Sequence, residues 1–282
     1  MKEVRIAGVP EHFNLPWHMA IEEGAFTDRG IDLKWTEVPE GTGKMCKMLR
    51  DDEADLAIIL TEGIVKDIVA GNPSKIVQVF VKSPLIWGVH VAATSPFETI
   101  ADLKCATAAI SRFGSGSHLM AYVNAGNQGW PLDQLKFEVV NNLQGGITAL
   151  TEGNAGYFMW ERFTTKPLVD KGIFKRVGDC PTPWPCFVIA ASDRFLAENK
   201  SPLKHLLEVI NTCTSDFKSI PSIDRTIANR YHQKAEDVKT WLSLTNWGQK
   251  QLSKEELDAV QNHLEALNLL DKKESVHKIL MG

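Results

Sequence analysis

Gly114-Ser115-Gly116-Ser117, just ahead of an apolar helical stretch, is the segment of this sequence best suited to holding a ligand. Glycine lets the backbone approach a bound group closely, and serine caps a helix start. The unpaired N–H groups and dipole of that start favour an anion. Arg112 beside it offers a bidentate contact to carboxylate, sulfonate or phosphate, with Phe113 and His118 flanking. The same residues serve equally well as a plain helix cap with solvent-facing serines, and both readings stand. Gly41 and Thr42, in Glu40-Gly41-Thr42-Gly43, follow a strand-like stretch and open a helical one. They offer either further backbone N–H groups to a ligand or only a tight turn. At the next such junction Thr61 is expected to cap a helix, and Glu62 to complement its dipole or meet a ligand.

Aromatic side chains gather at other junctions. Phe13, Asn14, Trp17 and His18 would give a ligand an apolar wall with polar groups to orient it, and core packing is the competing role for the two rings. Trp87, Trp160 and Trp184 fall near expected strand ends and, among eight tryptophans, point to an aromatic-lined cleft or to structural packing. Glu161 is a partner for a cationic or amide group, or else half of a surface ion pair with Arg162 or a lysine.

Several chemistries lack their motifs. Gly41-Thr42-Gly43-Lys44 misses the earlier glycine and the final Ser/Thr of a phosphate-binding P-loop, and the Ser115 segment has no lysine. His12, His18, His90 and His118 show no HExxH or other tight metal spacing, and no Gly-x-Ser-x-Gly elbow exists. The expectation is no metal and no cofactor. Cys46, Cys105, Cys180, Cys186 and Cys213 are odd in number and scattered, which argues for reduced thiols over a disulfide framework. Cys180 or Cys186 with a distant histidine could form a nucleophile–base pair, but any chain with five cysteines and eight histidines allows that.

The elements that must position these residues follow from periodicity. Val4–Val9, Ile31–Val38, Leu56–Leu60, Ile76–Val81 and Trp87–Ala92 read as strands. Leu15–Gly24, Lys44–Arg50 and Thr61–Ala70 read as the helices among them, so a mainly parallel, layered sheet is predicted. The rhythm restarts after Thr94-Ser95-Pro96 with strands at Cys105–Ile110, Phe137–Val140 and Tyr157–Trp160. Helices are expected at Ser117–Ala125, Ile147–Glu152 and Phe163–Asp170. Pro181, Pro183 and Pro185 form a stiff extended segment, Phe187–Ala191 returns as a strand, and the chain from Asp193 onward is helical. Three segments follow: residues 1–92 as the first part of lobe 1, residues 93–186 as an inserted lobe 2, and residues 187–282 completing lobe 1. Two crossings between lobes permit hinge closure about a ligand cleft.

With that order in place the sequence resembles the type II periplasmic-binding-protein-like family, most closely its nitrate, sulfonate, taurine and thiamine-pyrimidine group. The resemblance rests on Pro16, Ala20, Glu23-Gly24-Ala25-Phe26 and Gly30-Ile31-Asp32-Leu33. It continues through Gly41-Thr42-Gly43, Asp52-Glu53-Ala54-Asp55-Leu56-Ala57, the run Ser111 to His118, and the run Ala149 to Phe158, and spans roughly Val4 to Ala191. It implies an α/β, two-lobed fold with a ligand cleft between lobes and a helical C-terminus. The implied role is binding of a small anionic or heteroaromatic solute (sulfonate, carboxylate or pyrimidine-like), with an ABC-transporter permease as partner. The alternative is a thiamine-related biosynthetic enzyme on the same scaffold; its relatives use a cysteine-rich cluster that this sequence does not contain.

The net charge of −4, with 44% hydrophobic and 23% charged residues, gives no general attraction to nucleic acid, and no apolar run is long enough to span a bilayer. A monomer without membrane insertion is expected. The N-terminus enters a strand without a leader, which places the protein in the cytoplasm, or in the periplasm or on a lipid anchor if a leader has been trimmed.

Overall fold

Val4, Ile6 and Ala7 are buried in the first strand, and every residue of Leu56–Leu60 is buried, so these segments form the centre of a sheet covered on both faces. The computed structural model describes residues 1–282. In chain order the elements are β1 (Lys2–Gly8), α1 (Leu15–Glu22), β2 (Ile31–Glu37), α2 (Thr42–Arg50), β3 (Leu56–Leu60), α3 (Thr61–Val69) and β4 (Ser74–Val81). Then come β5 (Ile86–Ala92), β6 (Ala108–Ile110), α4 (Gly116–Asn127), β7 (Phe137–Val139), α5 (Leu143–Thr151), β8 (Tyr157–Glu161), α6 (Lys166–Asp170) and β9 (Phe174–Pro181). The chain closes with β10 (Phe187–Ser192) and six helices: α7 (Asp193–Glu198), α8 (Lys200–Asp216), α9 (Ile223–Arg230), α10 (Ala235–Leu244), α11 (Lys254–Ala266) and α12 (Val276–Ile279).

Two compact units result. The first contains Met1–Ser83, Trp184–Asn262 and Lys272–Gly282; the second contains Pro84–Pro183 and His263–Asp271. The first unit's sheet has the order β2-β1-β3-β10-β4, with β1, β2 and β3 parallel and β10 antiparallel to both neighbours. The second unit's sheet has the order β7-β6-β8-β5-β9, with β6, β7 and β8 parallel and β5 antiparallel to both neighbours. Each sheet thus carries one reversed strand in its fourth place, and in each case it is the first strand after a crossing between units. The α/β, two-lobed architecture with a helical C-terminus is the one the sequence implies.

Four features differ from the sequence reading. β5 was expected in the first lobe, but it pairs with β8 and β9, which moves the first crossing from after residue 92 to Ser83–Pro84. The return crossing falls at Pro183–Trp184, so Trp184, Pro185 and Cys186 belong to the first unit rather than the second. Residues 263–271 also cluster with the second unit, so the chain crosses four times, not twice. Strand β9 escaped the sequence reading altogether because charged residues run along its half-buried length.

The first two crossings are stitched at their bases. In the second unit the Leu85 N–H donates to Thr182 Oγ1 at 3.0 Å, and the Thr182 N–H donates to the Leu85 carbonyl at 3.0 Å. In the first unit the Cys186 N–H donates to the Ser83 carbonyl at 3.2 Å. The α11 capping box is present: the Glu256 N–H donates to Ser253 Oγ at 3.1 Å and the Ser253 N–H to Glu256 Oε2 at 2.9 Å.

Candidate functional site

In the second unit β6 ends at Ile110 and the chain turns through Ser111–Ser115 into α4. Gly114 sits at φ +78°, the left-handed region that glycine enters at no steric cost. Its N–H donates to His118 Nδ1 at 3.0 Å, which leaves the ring proton on Nε2. Ser115 is the N-cap, accepting from the His118 N–H at 3.3 Å. Ser117 Oγ accepts the Ser111 N–H at 2.9 Å and lies 3.1 Å from Ser115 Oγ. The three serines are buried and bonded to one another, so they shape the loop instead of facing solvent. What the loop presents outward is backbone: the N–H groups of Gly116 and Ser117 have no acceptor, as the first turn of a helix dictates.

Phe113 is 66% exposed and stands edge-on to His118 and Phe137. Tyr122 completes that aromatic group through His118 and Phe137. Arg112 is half-buried. Replacing Ser115 and Ser117 together with alanine is expected to lower stability by about 2 kcal/mol, since the Ser115 cap and the buried hydrogen bond accepted by Ser117 each contribute ~1 kcal/mol. Urea denaturation of the variant beside the wild type checks this, and a loss below ~0.5 kcal/mol would show that these hydroxyls do not hold the loop.

A second helix start in this unit was missed from sequence. Asn142 caps α5, its Oδ1 accepting the Gly145 N–H at 3.0 Å, after Asn141 at φ +65°. The Asn-Asn pair was the available signal, since asparagine both tolerates the left-handed region and caps helices. Glu161 is buried at the end of β8, and its Oε2 accepts from the Thr164 N–H at 2.6 Å and the Thr164 hydroxyl at 2.8 Å. It is therefore no surface partner of Arg162, which bonds Asp179 Oδ2 at 3.1 Å. Burial pushes the Glu161 carboxyl up to about 7. Trp87 lies opposite Glu161 on one side and Cys180 on the other, buried, with its indole N–H unpartnered. Trp160 turns to the opposite face and packs on Phe158 within a hydrophobic cluster, so it is core rather than strand-end wall.

In the first unit the corresponding strand ends carry the starts of α1, α2 and α3. Trp17 is wholly buried, stacked on Phe26 and tilted against Trp35 and Phe80; Phe13 packs on Phe187 and Trp241. Both aromatics are core, the competing role noted from sequence. Asn14 Nδ2 donates to the Val9 carbonyl at 2.8 Å, and His18 is half-buried with Nε2 3.2 Å from Glu37 Oε1. Gly41, at φ +75°, precedes α2, and the N–H groups of Thr42 and Gly43 have no acceptor. Thr42 is buried against α3, where its Cγ2 would lie 2.3 Å from a Cβ added at Gly63.

Thr61 does not cap α3. Its hydroxyl donates to the Pro185 carbonyl at 2.5 Å and its N–H to the Cys186 carbonyl at 3.1 Å, which ties the helix start to the return crossing. Glu62 is fully buried, and its Oε2 accepts the Trp184 indole N–H at 2.6 Å. Burial pushes this carboxyl, too, up to about 7. Two side chains separated by 122 positions in sequence thus meet, a pairing no local pattern announces.

Nucleophilic chemistry finds little support among the cysteines and histidines. None of the five cysteines is in a disulfide; burial pushes the Cys180 thiol up to about 11, where it stays protonated at neutral pH. His12 is held near 3 by burial among Phe13, Tyr231 and Trp241, and burial is the main cause that lowers His90 to about 4. No group of three or more His, Cys, Asp or Glu side chains is placed to hold a metal ion, and no helix is long and apolar enough to cross a membrane. Two open pockets, of about 360 and 420 Å³, lie away from these strand ends. The first is lined by Arg5, Asp55 and Arg194, whose charges already pair, Arg5 Nη2 to Asp55 Oδ1 at 2.8 Å.

Comparison with known proteins agrees with this architecture. Residues 87–180 match the model of the Ca3427-like PBP family. Among solved structures, the Candida albicans CA3427 gene product, described as having the generic periplasmic binding protein fold, superposes with a TM-score of 0.90 at 25% identity. That alignment covers 97% of this chain and 92% of the other. The alkanesulfonate-binding protein SsuA from Xanthomonas axonopodis pv. citri, bound to MOPS, gives 0.82 at 17% identity over 99% and 96% of the two chains. The aliphatic sulphonate-binding SsuA from Escherichia coli gives 0.76 at 17% identity over 99% and 97%. No curated protein matches the chain. With one reversed strand in the same place of each five-stranded sheet, and with these matches, the chain has the two-lobed α/β fold of the type II periplasmic binding proteins.

Proposed function

We propose that the protein is a non-catalytic solute-binding protein that takes a small anionic or heteroaromatic solute, sulfonate, carboxylate or pyrimidine-like, at the strand-end faces of its lobes. The observation that carries this reading is the start of α4. The Gly116 and Ser117 N–H groups are unpaired, while the hydroxyls around them are consumed in holding the loop. A rigid loop that spends its side chains internally and offers backbone donors suits an anion. The Thr42 and Gly43 N–H groups repeat the arrangement in the first unit. The sulfonate-binding proteins among the structural neighbours support the same solute class.

Delivery to the permease of an ABC-type importer, by the protein acting as a monomer, is the physiological role that fits. A thiamine-related enzyme is the weaker reading, since the Cys180 thiol is held protonated and His12 is sealed among aromatic rings. Titration of purified protein with a panel of sulfonates, carboxylates and pyrimidines tests the proposal. A true ligand at a hundredfold excess over its Kd should stabilise the fold by about 2.7 kcal/mol. A panel in which no member raises the Tm or gives a calorimetric signal would defeat it.

A further inference from the structure

Strand β7 is an outer strand of the second unit's sheet, and its edge is managed unlike the other sheet edges. Later chain closes the edge of β4: the Val79 N–H donates to the Lys250 carbonyl at 2.8 Å, and the Met281 N–H to the Ile76 carbonyl at 2.9 Å. On β9 and β2 the edge charges pair within the chain, Lys175 with Glu98, Arg176 with Asp179 and Lys34 with Asp32. On β7 the exposed Lys136 and Glu138 have no ion-pair partner. The Lys136 carbonyl accepts the Ala108 N–H, and the Val140 N–H donates to the Ile110 carbonyl, both at 2.8 Å. Lys136, Glu138 and Val140 therefore turn their backbone groups inward to β6. By strand alternation those of Leu135, Phe137 and Val139 face outward, unpaired. Leu135, at φ −64° and ψ 135°, is extended and lengthens this edge. Val139 is 40% exposed, and the Phe137 ring lies 6.1 Å from that of the exposed Phe113.

We propose that β7 pairs antiparallel with β7 of a second copy of this chain, about a two-fold axis at Phe137. Leu135-Lys136-Phe137-Glu138-Val139 is its own complement in that arrangement. Phe137 meets Phe137 as a hydrogen-bonded pair, each using its outward N–H and C=O. Leu135 meets Val139 in the next such pair on either side. Between them Lys136 stands opposite Glu138 twice, in the closer positions without hydrogen bonds, where unlike charges attract. The outward groups restrict the register to steps of two residues. One step either way sets Lys136 against Lys136 or Glu138 against Glu138, so charge selects a single alignment. Leu135, Phe137 and Val139 of both copies then share one face, beside Phe113. Self-complementarity is what identifies the partner as a second copy. So short a contact makes a weak dimer, and the monomer is the dilute form of the protein.

Sedimentation equilibrium of the full-length protein at low salt tests this over about 5 to 500 μM, the span of a weak interface. The weight-average mass should rise from the 31.4 kDa of one chain toward twice that value. Lys136→Glu and Glu138→Lys, each alone, turn both attractive contacts repulsive and should raise the dissociation constant at least about tenfold. An equimolar mixture of the two variants opposes unlike charges at both contacts, and should associate within about threefold of wild type. Both positions are exposed, and circular dichroism verifies that the variants fold. Wild-type protein that stays monomeric throughout the range would overturn the proposal. Undiminished association of both single variants would overturn it as well, by moving the contact to another surface. A mixture that associates no better than its components would do the same, since the loss would then owe nothing to charge pairing across the axis. The wild-type series decides the matter even if a variant does not fold.

Discussion

Trp184→Phe is expected to destabilise the protein by about 3 kcal/mol at pH 8, and by at least ~1 kcal/mol less at pH 5. Phenylalanine keeps most of the ring volume and deletes the indole N–H that bonds Glu62 Oε2. A hydrogen bond to a charged group is worth roughly 1.5–3 kcal/mol and one to a neutral group about 0.5–1.5. The sign follows from linkage. Burial raises the Glu62 carboxyl from 4.5 to about 7 in the folded protein, so between those values the folded state binds more protons than the unfolded one. Stability from this group is therefore greatest below pH 4.5 and is lost as pH rises toward 7. The indole lowers the Glu62 pKa. Without it the loss continues above pH 7, and the gap between variant and wild type opens there. Glu161, raised to about 7 as well, imposes the same slope on both proteins and cancels in the difference. Urea denaturation at the two pH values reads the result. An equal loss at both would mean that only ring volume matters and that Glu62 is not the partner.

Gly145→Ala should cost about 4 kcal/mol, near the top of the usual range for a single substitution. The N–H of Gly145 is held by Asn142 Oδ1, which presses the first turn of α5 onto the Val140–Asn142 bend. A Cβ there would lie 1.9 Å from the Val140 carbonyl oxygen. Because that neighbour is backbone, no rotamer change relieves the overlap; either α5 or the end of β7 must move. At Gly146 the clash would be with the Phe158 ring at 2.7 Å, a side chain able to shift, so the neighbouring substitution should be milder. Denaturation curves of the two variants give the comparison. A loss below ~1 kcal/mol for Gly145→Ala would show that α5 is not seated against that bend.

Most elements could be read from residue order because burial alternation is a local property. Leu56–Leu60 followed by a helix with Ile64, Val65 and Ile68 buried is visible in any window of the chain. Which sheet a strand joins is not local. β4 and β5 are both apolar and stand only a few residues apart, and nothing in Lys82-Ser83-Pro84-Leu85 says that the chain changes units there. β9 was invisible for a different reason. Its Lys175, Arg176 and Asp179 imitate a loop but pair with one another or with Glu98 and Arg162 along a half-buried strand.

At the candidate site, the Gly-Ser turn declared itself through residue type, and its capping serine is present, yet the serines proved to be internal scaffolding. Thr61 reads as a cap from its position, but two carbonyls from the return crossing outcompete its own helix. Trp17 and Phe13 sit beside the strand end in sequence and face inward, since rings of that size gain most from full burial. Conversely, the pairing of Glu62 with Trp184 depends on chain closure across the whole inserted unit and leaves no trace in either neighbourhood.

The position of β10 constrains how the molecule can be born. It lies between β3 and β4, bonded to both, yet it is translated only after every strand of the other sheet. On the ribosome β3 and β4 must therefore wait with their facing edges unpaired while the intervening polypeptide emerges and folds. Nascent chains shorter than about 190 residues are thus held open to edge-to-edge association, and protection of those edges is the service a chaperone would render.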